Sequence, residues 1–151
     1  MKQLFYTLSF IFFIATANAQ IADPVQWTYT AKKIADKTYE LHITASLQNS
    51  WHLYSQQQPA DAIAEPTTIS FSKNPLIIIE GKAKEFGKMQ IFKDEKLKIS
   101  ANQYSGKVDF VQKIKLKGNV KTNVVGVVEY QTCDDKKCLP PKKINFSIPI
   151  K

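Results

Sequence analysis

Residues 38–47 read Thr38-Tyr39-Glu40-Leu41-His42-Ile43-Thr44-Ala45-Ser46-Leu47. Tyr39, Leu41, Ile43, Ala45 and Leu47 alternate with Glu40, His42, Thr44 and Ser46. A period of two sends the apolar set to one face of a β-strand and the polar set to the other. The end of the chain repeats the pattern: Ile144, Phe146, Ile148 and Ile150 alternate with Asn145, Ser147, Pro149 and Lys151. Val108 and Phe110 share a phase with Ile114 and Leu116, and Gln112 is the one polar interruption.

Outward from these stretches, further strands are expected over residues 25–34, 51–55, 67–71, 76–79, 89–92, 96–100 and 124–132. Turn chemistry separates many of them, at Gln48-Asn49-Ser50, Lys73-Asn74-Pro75, Lys93-Asp94-Glu95, Ser105-Gly106 and Lys117-Gly118-Asn119. Residues 56–64 tolerate a helix, but Pro59 and Pro66 bracket them poorly. Many short antiparallel strands in one chain of ordinary domain length give an all-β fold, a β-sandwich before a closed barrel.

The N-terminus fixes the expected compartment. Lys2 gives a short positive start, residues 4–14 are apolar, and Ala17-Asn18-Ala19 has the small-x-small form of a cleavage site. Residues 1–19 therefore read as a secretory signal peptide. The run falls short of the roughly 20 apolar residues that span a bilayer. Residues 20–151 are expected to form one exported, periplasmic domain.

The formal net charge is +8. The lysines are scattered, and Lys113, Lys115 and Lys117 alternate with apolar residues as on a solvated sheet face. No nucleic-acid partner is expected. A basic surface favours acidic proteins or anionic lipid.

The chain has two cysteines, Cys133 and Cys138, and export makes their pairing the default. Asp134-Asp135-Lys136-Lys137 separates them, so they should face each other across the neck of a hairpin. Opposed residues on antiparallel strands have Cα atoms about 4.5–5.5 Å apart, within the reach of a disulfide. Closing six residues would stabilise the fold by about 2 kcal/mol, near the bottom of the usual range. Spacing alone leaves three readings open: a structural disulfide, a redox pair, or a metal site completed by His42 and His52.

The string Glu129-Tyr130-Gln131-Thr132-Cys133-Asp134-Asp135-Lys136-Lys137-Cys138-Leu139-Pro140-Pro141 resembles the redox hairpin of the periplasmic N-terminal domains of the DsbD family of thiol:disulfide interchange proteins. The loop between the cysteines is one residue shorter than in the best-known members. Trp51-His52-Leu53-Tyr54 resembles the family's aromatic strand beside the cysteines. Glu85-Phe86-Gly87-Lys88 resembles its cap loop, one residue shorter and with Lys84 at a usually acidic position.

The resemblance implies an immunoglobulin-like sandwich with a redox-active cysteine hairpin and a cap loop. It implies passage of reducing equivalents from a membrane-bound thiol reductase component to oxidised thioredoxin-fold proteins, such as disulfide isomerases or cytochrome c maturation factors. Cys138 would form the mixed disulfide and Cys133 would resolve it. Phe86 would be the lid, Gly87 its hinge and Glu85 the surviving acid–base group. His52, Tyr54 and Tyr130 would surround the pair. No cofactor or metal is called for, and a monomer is expected. The competing reading is an immunoglobulin-like module that binds protein or carbohydrate and carries a structural disulfide.

Overall fold

Leu41, Ile43 and Ala45 are fully buried, and the polar residues between them lie at the surface, as the period of two requires. The structure, a computed structural model, describes residues 23–62 and 64–151. The signal segment expected over residues 1–19 lies outside them. Among the described residues there are nine strands and no helix: β1 (Val25–Ala35), β2 (Thr38–Leu47), β3 (His52–Tyr54), β4 (Thr68–Phe71), β5 (Ile77–Asp94), β6 (Ile99–Leu116), β7 (Thr122–Tyr130), β8 (Thr132–Cys133) and β9 (Lys142–Ile150).

They form two antiparallel sheets. The larger runs β1-β2-β6-β3-β8, with β5 on the other edge of β6; the smaller runs β4-β7-β9. Leu41, Ile43, Val108, Phe110 and Ile114 of the larger sheet share one core with Val124, Val128, Phe146, Ile148 and Ile150 of the smaller. Trp27 stacks on Phe110 with ring centroids 6.1 Å apart and meets Tyr130 at 5.2 Å. This is the immunoglobulin-like β-sandwich expected from the alternation and the resemblance.

Gln112, the polar interruption in β6, is buried within the core phase. Its Nε2 donates to the carbonyls of Glu80 and Lys113, each at 2.9 Å. The register of β5 shifts between Glu80 and Lys84, and the Gln112 amide satisfies the backbone freed by that bulge.

The structure departs from the expected strand list in one region. Residues 77–79 and 89–92 belong to the single long β5, Leu76 lies in the turn before it, and residues 95–98 form the turn into β6. Asp94 Oδ1 makes that turn by accepting the N–H groups of Lys96 and Leu97 at 2.9 and 3.0 Å. No reversal occurs at Ser105-Gly106, which lies inside β6. Gly106 has φ +74°, a value that favours glycine. It marks the point where β6 changes partner along one edge. Residues 103–105 pair with β3, and residues 107–115 pair with β2.

Candidate functional site

The smaller sheet leads into the cysteine loop. β7 ends at Tyr130, and the chain then crosses to the edge of the larger sheet as β8, where Thr132 pairs with Leu53 and Cys133 with His52. The cysteine loop is thus an excursion between sheets, while β7 and β9 pair directly with each other. Cys133 and Cys138 are bridge partners joined by a disulfide, with Cα atoms 3.9 Å apart. Leu139 N–H donates to Thr132 O, and Asp134 N–H donates to Lys137 O, both at 2.9 Å.

Asp134 fixes the turn between the cysteines. Its Oδ1 accepts the N–H groups of Lys136 and Lys137 at 2.8 and 2.7 Å. These donors hold its carboxyl below the usual range, helped by the two lysine charges. Past Cys138, Pro140 and Pro141 carry no backbone N–H, so ladder pairing stops there until β9.

The two sulfurs have different surroundings. Cys133 is 3 % exposed and packs with Tyr54, Ala101 and Ala64 in a small apolar cluster separate from the main core. Cys138 is exposed. An open cavity of about 340 Å³ reaches the pair, and His52, Tyr54, Phe92, Ala101, Cys133 and Cys138 are among its walls. Burial pushes the Tyr54 phenol upward.

His52 and Tyr54 therefore stand where the resemblance puts them, beside the cysteines. Their strand explains it: His52 and Tyr54 share one face of β3, and Leu53 between them enters the main core. His52 Nδ1 lies 2.8 Å from Ser105 Oγ, and its Nε2 lies 3.5 Å from Asp135 Oδ1.

The structure places the other expected residues elsewhere. Residues 85–88 belong to β5 and form no loop. Phe86 stands opposite Asp109, in the half of β6 that pairs with β2; it is 57 % exposed and is not a wall of the cavity. A Cβ on Gly87 would lie 3.0 Å from Lys107 O and 3.1 Å from the Tyr104 ring, so close packing accounts for this glycine. Glu85 ties elements together: it accepts Ser55 Oγ–H at 2.7 Å, Gln56 N–H at 2.6 Å and Tyr104 O–H at 2.7 Å. Burial and then this carboxylate push the Tyr104 phenol up.

Tyr130 is buried in the main core and donates to Asp23 Oδ2 at 2.9 Å. Burial, followed by Asp23, pushes its phenol up as well. His42 bonds Asp109 at 2.7 Å on β2 and β6, so it is not brought to the cysteines with His52.

Sequence reading missed Phe92. It pairs with Ala101, the neighbour of Cys133 in the small cluster, and helps to wall the cavity. The available signal was position: Phe92 immediately precedes the expected turn at Lys93-Asp94-Glu95, which brings it back over the start of β6.

The family described as thiol:disulfide interchange protein DsbD, N-terminal, matches residues 18–149. The chain belongs to this family. Among solved structures, the DsbD N-terminal domain of Neisseria meningitidis in the reduced form is similar with a TM-score of 0.50 and 15 % identity, over 81 % of this chain and 83 % of that one. The likeness is one of fold. The N-terminal periplasmic domain of ScsB from Proteus mirabilis gives a TM-score of 0.49 and 16 % identity, over 83 % of this chain and 44 % of that one. A comparison with curated proteins finds no match. As a DsbD N-terminal-type domain, the chain carries its cysteine pair on an edge of the larger sheet, outside the main core.

Proposed function

We propose that this chain is an exported, periplasmic exchange domain that passes reducing equivalents from a membrane-bound thiol reductase component to oxidised thioredoxin-fold proteins. Family membership supports thiol:disulfide interchange. The observation that carries the finer reading is the unequal exposure of the bonded pair: Cys133 is enclosed and Cys138 is open.

In the direction of substrate reduction, the Cys138 thiolate attacks one sulfur of the partner's disulfide. A mixed disulfide forms, and the partner's other sulfur leaves as a thiolate. Cys133 then loses its proton and attacks Cys138 Sγ, which restores the Cys133–Cys138 bond and frees the partner's second thiolate. Protons taken up by the two leaving sulfurs balance those lost by the cysteines. The open side of Cys138 admits an incoming sulfur. Phe92, which lines the same cavity as Cys138, is an exposed apolar side chain suited to a docked protein.

A structural disulfide in a binding module explains less. The loop is short, and its ends are held by the β3–β8 ladder, the Leu139 N–H to Thr132 O bond and the Asp134 turn. The test is to mix reduced Cys133→Ser and Cys138→Ser, each separately, with an oxidised thioredoxin-fold protein. Cys133→Ser should accumulate a mixed disulfide through Cys138, and Cys138→Ser should accumulate far less. Absence of adduct with both variants, with a wild-type disulfide that resists dithiol reagents, returns the binding-module reading.

A further inference from the structure

We propose that His52 is the proton acceptor and donor for Cys133 in the exchange reaction. The proposal rests on the exchange chemistry above and adds to it the group that moves the proton.

His52 and Cys133 are directly opposed in the β3–β8 ladder. Opposed side chains on antiparallel strands have Cβ atoms about 4.5–5.5 Å apart. Both residues line the same cavity, and the His52 side chain is 19 % exposed. The imidazole thus stands beside the enclosed sulfur, the one with least help from water.

Hydrogen bonding sets the tautomer. Ser105 Oγ donates its single proton to Gln90 Oε1 at 3.0 Å. Toward His52 it can therefore act only as an acceptor, and Nδ1 carries the proton in the 2.8 Å bond between them. In the neutral ring this leaves Nε2 unprotonated. Nε2 is also the nitrogen turned toward the cysteine loop, 3.5 Å from Asp135 Oδ1.

The other charged and titratable groups near the ring come from each neighbouring element. The cysteine loop brings Asp134, Lys136 and Lys137 besides Asp135, and β3 itself brings Tyr54. Lys88 and Lys107 occupy nearby positions of β5 and β6. Asp135 is the one among them within bonding reach of the imidazole.

The step balances without a further reagent. As Cys133 attacks the mixed disulfide, its thiol proton passes to His52 Nε2. The Cys133–Cys138 bond forms, the bond from Cys138 to the partner breaks, and the departing thiolate takes a proton from the imidazolium. An imidazole takes up a proton at its free ring nitrogen and returns it from the same atom, so one side chain serves both halves of this transfer.

The test uses reduced Cys138→Ala, in which Cys133 is the single thiol, without any partner protein. Thiolate absorbance is followed against pH with His52, His52→Gln and His52→Asn. The Asn side chain can keep a bond to Ser105 but cannot titrate. Thiolate formation should move up by about one pH unit in both variants, roughly a tenfold loss of thiolate at neutral pH. An Asn or Gln variant with the wild-type profile overturns the proposal.

A second measurement needs no substitution. In the wild-type protein, nitrogen NMR should find the proton on Nδ1 of neutral His52, and the midpoint of ring titration should rise on reduction of the pair. A proton on Nε2, or one midpoint in both redox states, overturns it equally. Neither readout involves a partner, so failure of mixed-disulfide trapping would leave both intact.

Discussion

Phe92 of β5 stands opposite Ala101 of β6 and forms part of the wall over Cys133, whereas Phe86, six residues earlier on the same strand, does not. Phe92 remains 46 % exposed where it lines the cavity that reaches Cys133. Phe92→Ala should speed alkylation of the reduced cysteines by a small thiol reagent severalfold, and Phe86→Ala should leave the rate unchanged. Stopped-flow alkylation of the two variants decides between them. Acceleration by Phe86→Ala alone would restore the lid expected from Glu85-Phe86-Gly87-Lys88.

Glu85 joins the end of β3 to the core through Ser55, Gln56 and Tyr104. Ser55 and Tyr104 are buried, so removal of the carboxylate leaves their hydroxyls short of a partner. Glu85→Ala should destabilise the fold by about 1–3 kcal/mol in urea unfolding. Stability equal to the wild type would show that water replaces these bonds at no net cost.

The disulfide closes six residues, and in the chain-entropy estimate its loss costs about 2 kcal/mol. The reduced protein should therefore stay folded at 25 °C, with a thermal midpoint lower by roughly 5–10 °C. Circular dichroism of the oxidised and reduced forms measures this. Collapse of the β signal on reduction is the contrary result.

Tyr104 and Tyr130 have phenols raised by burial first and by Glu85 and Asp23 second. Their unfolded values lie near 10. The neutral phenols contribute stability that is fully present below that pH and is lost as the pH climbs toward the folded values, because the unfolded chain ionises first. The thermal midpoint should fall above about pH 10, and more steeply in the wild type than in Tyr104→Phe/Tyr130→Phe. Equal slopes would assign the alkaline loss to other groups.

The sequence made β2 and β9 legible because each keeps its period of two against a single core. β5 resisted the same reading. Its register shifts twice, between Glu80 and Lys84 and between Gly87 and Met89, and each shift breaks the alternation. It lies on a sheet edge with both faces largely exposed, so little burial pressure orders its residues by face. That is why an apparent loop at residues 85–88 proved to be strand.

The cysteine pairing could be placed from local order alone, since five positions separate the two residues, and His52 and Tyr54, far from it in sequence, from the resemblance of residues 51–54 to the family's aromatic strand. Phe92 could not. Its place at the cavity depends on the return of β6 from the Asp94 turn and on the pairing of β6 with β3, both of them relations between separated parts of the chain.

The change of partner at Gly106 gives the molecule two zones of different persistence. β2 holds nine consecutive residue pairs with β6, while β3 holds three, and only two more join β3 to β8. Because the two partners meet β6 end to end, β3 and β8 can part from it without unzipping β2. Amide protons of residues 52–54 and 132–133 should exchange with solvent through a small local opening, and those of residues 41–45 only through global unfolding. The end that carries the sulfurs is thus free to breathe on a floor that stays shut.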